Sequence, residues 1–102
     1  MENKKNENEI NIELPADVAE GTYSNLAIIS HSFAEFIIDF VNIMPGMPKA
    51  KVKARIIMTP QHAKRLMLAL AENISKFEAV FGEIKDTNVP PPNFKMDNTA
   101  DA

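Results

Sequence analysis

Residues 59–82 read TPQHAKRLMLALAENISKFEAVFG, the one long segment of the chain with sharp boundaries at both ends. Thr59 offers its hydroxyl to the free amides of a first helical turn. Pro60, at the first helical position, forfeits no hydrogen bond and presets φ. Gly82 supplies the stop. Between them Ala63, Leu66, Met67, Leu70, Ile74, Phe77 and Phe81 recur at spacings of three and four, the pattern of a stripe turned towards a core. Leu68 and Val80 widen that stripe, while Lys64, Arg65, Glu72, Ser75, Lys76 and Glu78 fall mainly elsewhere on the wheel. The spacing predicts a helix of about 22 residues, roughly 33 Å long at 1.5 Å per residue, enough to cross a small sheet. Such a stripe builds a core, and a generous one also suits contact with a second subunit.

Immediately upstream lies the clearest alternation in the chain. Lys49, Lys51, Lys53 and Arg55 interleave with Ala50, Val52, Ala54, Ile56 and Met58, which predicts a half-buried strand feeding straight into Thr59. Before it, the turn MPGMP is punctuated by Pro45, Gly46 and Pro48. Two further segments carry the β-branched and aromatic residues of strands, Thr22 to His31 and, more strongly, Glu35 to Met44. In the latter, Phe36, Ile38 and Phe40 share one face and Ile37, Asp39, Val41 and Ile43 the other. A short strand is also expected where Ile10, Ile12 and Leu14 alternate with polar residues, limited by Pro15. ADVAEG, residues 16–21, reads as a connector with a turn at Gly21.

Register follows from parity, because a slip of one residue turns every side chain to the opposite face. If Phe36, Ile38 and Phe40 share the core face with Val52, Ala54 and Ile56, the second hairpin pairs Ile43 with Lys49 or Met44 with Ala50. Asp39 then lies opposite Lys53 or Arg55. The same test on the first hairpin gives a three-residue loop, Ser32 to Ala34. It sets Leu26 and Ile28 over Phe40 and Ile38, and His31 opposite Glu35. The expected fold is α+β: an antiparallel meander of three to four strands followed by one long C-terminal helix on its core face, in two layers. Leu66, Leu70, Ile74 and Phe77 would lie on Leu26, Ile28, Phe36, Ile38, Phe40, Val52, Ala54 and Ile56.

The outer face of that sheet is richer in branched aliphatics than a solvated face should be, carrying Tyr23, Ile29, Ile37, Val41, Ile43 and Ile57. Apolar surface of that kind marks an interaction site, and self-association through the sheet or along its edge accounts for it. The same face carries the basic strip of Lys49, Lys51, Lys53 and Arg55, suited to phosphate, nucleic acid or an acidic partner. The simpler role of such lysines is to block aggregation of a solvated strand.

Composition narrows the rest. A chain of 102 residues makes one domain, expected over residues 10–84, with a disordered tail at 1–9 and a flexible, proline-containing tail at 85–102. Cysteine is absent, which removes disulfides and thiolate chemistry and suits a reducing cytoplasm. No apolar run approaches a membrane span, so a soluble, cytoplasmic protein is expected, with no membrane partner. A net charge of -3 argues against broad nucleic-acid binding. His31 and His62, the only histidines, stand without the spacing of a metal site. His31 beside Glu35 would make a pH-sensitive pair at a strand end. No two groups are placed as acid and base, so neither enzymatic activity nor a cofactor is expected.

The segments YSNLAIISHSFAEFIIDF and KAKVKARIIMTPQHAKRLMLALAENISKFE, with the following FG, resemble a small prokaryotic family of about one hundred residues classed as a domain of unknown function. The likeness runs roughly from Ile10 to Ile84. It is carried by His31-Ser32 before Glu35-Phe36, Asp39-Phe40, Arg55-Ile56, Thr59-Pro60, Ala63-Lys64-Arg65-Leu66, and Glu72-Asn73-Ile74 with Phe77-Glu78. That resemblance implies no catalytic residues. In element order alone, the chain is also similar to the SecB export chaperones, which implies oligomerisation and chaperone-like peptide binding. The function expected is therefore a non-enzymatic interaction module that forms a homodimer or higher oligomer through the sheet and binds another protein. The alternatives are ligand binding on the basic strip and peptide capture.

Overall fold

The computed structural model describes residues 9–86. In chain order the elements are α1 (Ala16–Ala19), β1 (Leu26–His31), β2 (Phe36–Val41), β3 (Val52–Met58) and α2 (Pro60–Phe81). The strands form one open antiparallel sheet in the order β1-β2-β3. With the long C-terminal helix this is an α+β arrangement. The chain divides into two compact units, Met1–Lys64, which holds the sheet, and Arg65–Ala102, which holds most of α2. The expected tails fall outside the described residues except at Glu9, Lys85 and Asp86.

No strand forms at residues 10–14. Ile10, Ile12 and Leu14 are exposed there, and the connector that follows is helical instead. Pro15 takes φ -64 and ψ 153 ahead of α1, and its carbonyl accepts the N–H groups of Val18 and Ala19 at 3.0 and 2.9 Å. Asp17 in the first turn suits the positive end of that short helix. Gly21, at φ 80, turns the chain out of it.

The second hairpin has the expected parity: Asp39 lies opposite Arg55, Ile38 opposite Ile56 and Phe40 opposite Ala54. An irregularity between Phe40 and Val41 then brings Val52 opposite Val41, leaving Lys53 as the extra residue of a bulge. Val52 consequently pairs on the face of Val41, not on that of Phe40 as expected.

The first hairpin differs from expectation by one residue. Ile29 pairs with Ile38 and Ala27 with Phe40, while Leu26 faces Val41 and Ile28 faces Asp39. His31 stands opposite Phe36, not Glu35. The Ser32 N–H donates to the Glu35 carbonyl at 2.9 Å, closing a tight turn at Phe33 and Ala34 steadied by the Ser32 hydroxyl, which accepts from Ala34 N–H at 3.3 Å. Parity does not fix this register, because β2 is apolar on both faces. Phe36, Ile38 and Phe40 line one side and Ile37 and Val41 the other, so either register of β1 meets apolar side chains. Each face of β2 contributes to the buried core: among the described residues Ile38 and Val41 are the buried apolar ones, on opposite faces, and Asp39 is buried with them.

Ahead of β1, Asn25 acts as an extra rung of the ladder. Its amide nitrogen donates to the Ile43 carbonyl at 2.9 Å and its oxygen accepts the Ile43 N–H at 2.7 Å. The Ser24 hydroxyl lies 2.9 Å from the Val41 carbonyl, which also accepts the Asn25 N–H at 3.0 Å.

The boundaries of α2 are those its sequence predicts. Thr59 Oγ1 accepts the His62 N–H at 3.1 Å and the Thr59 carbonyl accepts that of Ala63 at 2.9 Å. At the other end Gly82 adopts φ 97 and donates its N–H to the Glu78 carbonyl at 3.0 Å. Glu78 Oε2 accepts the Ile84 N–H at 2.9 Å, holding the exit of the chain. Phe77 and Phe81 are neighbours along the helix, with ring centroids 4.9 Å apart. No residue of α2 is buried.

Candidate interaction surfaces

The sheet presents two faces whose rows are set by the observed pairing. One face carries the rows His31–Phe36–Met58, Ile29–Ile38–Ile56 and Ala27–Phe40–Ala54. The other carries Ser30–Ile37–Ile57, Ile28–Asp39–Arg55 and Leu26–Val41–Val52.

Asp39 is the chemical centre of the second face. Its side chain is 3 % exposed and is held side-on by Arg55, whose Nε donates to Oδ1 at 2.7 Å and whose Nη2 donates to Oδ2 at 2.9 Å. A bidentate, charge-assisted pair of this geometry is stronger than a single contact. The hydrogen bonds from Arg55 hold the Asp39 carboxyl below its ordinary value; burial opposes them, and the guanidinium charge adds to them. A carboxylate kept ionised and saturated by a guanidinium is a poor proton carrier. It is suited to fixing two strands together.

The apolar residues expected to form one interaction surface are divided by the fold. Ile37, Val41 and Ile57 do share a face, with Ile37 directly opposite Ile57, but Val41 is buried and presents nothing to a partner. The corrected register moves Ile29 to the other face, beside Ile38. Tyr23 and Ile43 lie outside the strands and are exposed. Further apolar surface lies on α2, where Leu66, Met67, Leu70, Ile74, Phe77 and Phe81 are all exposed. At the β1–β2 turn, Phe33 is fully exposed. Phe33 is not marked in the sequence as a turn tip, because the turn contains no glycine or asparagine.

The basic strip also separates. Arg55 is committed to Asp39, whereas Lys49, Lys51 and Lys53 gather with Asn42, Met44, Met47 and Ala50 around a shallow depression of about 230 Å³. Lys49 and Lys51 precede β3, and Lys53 sits in its bulge. The bulge, not a regular alternation, therefore sets the direction of Lys53.

His31 stacks on Phe36 with ring centroids 5.3 Å apart and planes 25° apart, so the pH-sensitive pair expected with Glu35 does not form. His62 is exposed in the first turn of α2. Among the described residues, no group of three or more histidine, aspartate or glutamate side chains is placed to hold a metal ion. No described helix is long and apolar enough to cross a membrane.

No curated protein and no solved structure matches the chain. A family model does, over residues 1–86: the chain belongs to the family described as a protein of unknown function (DUF3467). This is a family of the size and kind that the residues from Ile10 to Ile84 resemble, and it brings no catalytic assignment.

Proposed function

We propose that this DUF3467 member is a non-enzymatic interaction module of the bacterial cytoplasm that self-associates and uses its remaining apolar surface to bind another protein. The observation that supports this reading is the distribution of apolar side chains. Ile38 and Val41 are the buried apolar residues among those described, while exposed ones extend over both the sheet and α2. An amphipathic helix gains most of its stability from the surface its apolar face packs against, and exposed apolar patches mark contact sites. The absence of cysteine accords with a reducing compartment.

Light scattering at micromolar concentration tests the first half of the proposal: more than one copy is expected, and a monomer counts against it. The second half predicts saturable binding of an unfolded, apolar polypeptide, read by fluorescence anisotropy, that weakens when Leu70 and Ile74 are made polar. Unchanged binding in that variant excludes α2 as the surface and leaves the sheet faces.

The depression ringed by Lys49, Lys51 and Lys53 favours a second reading, binding of a phosphate-bearing or acidic ligand. That reading predicts salt-dependent association with an oligonucleotide that disappears in the variant carrying Lys51→Glu and Lys53→Glu together. Binding that survives both changes removes the site.

A further inference from the structure

We propose that the self-association surface is the free edge of β1, and that two copies join there about a two-fold axis to make one continuous six-stranded sheet from two of three strands. This rests on the self-association proposed above and names its surface. An open sheet ends in two edges, and natural sheets guard them with charge, proline or bulges. The β3 edge is guarded: it carries Lys53, Arg55 and a bulge. The β1 edge, LAIISH, has no lysine, arginine, aspartate, glutamate or proline and no bulge within it.

Backbone alternation determines which groups that edge offers. Ser32 N–H bonds back to Glu35, so the pairs that exchange hydrogen bonds with β2 include Ser30 with Ile37 and Ile28 with Asp39. The N–H and C=O groups of Ala27, Ile29 and His31 consequently point away from the sheet. A two-fold axis through Ile29 sets Ile29 opposite Ile29 and Ala27 opposite His31. All three outward residues are then satisfied, by roughly six backbone hydrogen bonds. The small Ala27 leaves room for the His31 ring across the ladder.

The side chains favour a second copy over an unrelated strand. Ile29, Ile38 and Ile56 lie in one row on one face, with Ile29 61 % exposed and Ile56 45 % exposed. Pairing at Ile29 makes that row continuous from Ile56 of one copy to Ile56 of the other, through like side chains that pack well on a pleated surface. The same operation on β3 is less favourable: its outward backbone groups belong to Lys53, Arg55 and Ile57, so a two-fold axis through Arg55 sets it against its own copy and one through Ala54 sets it against Lys53.

The natural absence of cysteine makes the test clean. In an antiparallel ladder of this register, the Cα atoms of the two Ile29 residues lie about 5.5 Å apart, within disulfide range. Ile29→Cys is expected to cross-link two copies under mild oxidation, while Ile57→Cys on the β3 edge is not. Ala27→Pro removes an N–H that points away from β2, and Ile29→Lys sets charge against charge. Both are expected to reduce the mass by light scattering to one copy with the far-ultraviolet circular dichroism retained. A native dimer that persists in both variants, with Ile29→Cys failing to cross-link, overturns the edge inference and leaves self-association standing. A monomeric native chain overturns both.

Discussion

Replacing Arg55 with alanine takes from the Asp39 carboxylate, whose side chain is 3 % exposed in the native chain, both of its bonds at 2.7 and 2.9 Å. Breaking a fully buried ion pair by removing one partner costs about 3–5 kcal/mol. Here the Arg55 side chain is itself 53 % exposed, so water reaches the vacated position and screening lowers the cost to about 2–3 kcal/mol. For a chain of this size that corresponds to a melting temperature lower by roughly 8–24 °C. The pH dependence gives an independent check. Asp39 has a folded-state pKa lowered from 3.8, so its stabilising contribution is fully present above that value and is lost as pH falls through the lowered one. Without Arg55 only burial acts, and burial favours the neutral acid. The gap between the native chain and Arg55→Ala should therefore be widest near neutral pH and narrow below about 3.8. Urea denaturation at fixed protein concentration, from pH 7 to pH 3, measures it. A gap under about 0.5 kcal/mol at pH 7, the range of ordinary surface changes, or one that stays constant into acid, would refute the pairing as a source of stability.

Further expectations concern the ends of elements. Thr59→Ala removes the hydroxyl bonded to His62 N–H and should cost about 1 kcal/mol by thermal denaturation. Gly82→Ala forces a side chain into backbone at φ 97, where nothing else is within 4 Å, and should cost about 1–2 kcal/mol from the backbone alone. Asn25→Ala deletes both bonds to Ile43 and should cost about 1–2 kcal/mol, with hydrogen exchange rising at Ile43 before the centre of β2. Phe33→Ser, at a fully exposed turn, should leave stability within about 0.5 kcal/mol by thermal denaturation.

Where physical signals were local and redundant, the sequence was enough. Thr59, Pro60 and Gly82 delimit α2 because a cap, a preset φ and a positive φ act within one turn. A cation opposite Asp39 was legible because parity admitted only Lys53 or Arg55, but the burial of that carboxylate was not, since Asp39 was expected on an outer face. The β1 register was not legible, because β2 is apolar on both faces and the turn at Phe33 and Ala34 carries no residue that fixes its geometry. Ile10, Ile12 and Leu14 alternated like a strand, but Pro15 and Asp17 favoured a helical turn beside them. The grouping of the surface residues was not legible: a single-residue shift moved Ile29 to the opposite face, and the bulge at Lys53 separated three lysines from Arg55.

The strand FIIDFV, residues 36–41, is short, β-branched and aromatic, and its one charge is Asp39. Segments of this composition stack with their own kind when left exposed. In the finished sheet β2 is covered by a neighbour on each side, but synthesis delivers β1 and β2 before β3. During that interval one edge of β2 is open and Arg55 has not yet arrived. Asp39 is then an uncompensated negative charge in the middle of an otherwise apolar hexapeptide. The carboxylate that later fastens β2 to β3 is thus expected to repel its own kind before β3 arrives, and Asp39→Asn should raise aggregation on refolding, read by light scattering, even where the folded protein tolerates it.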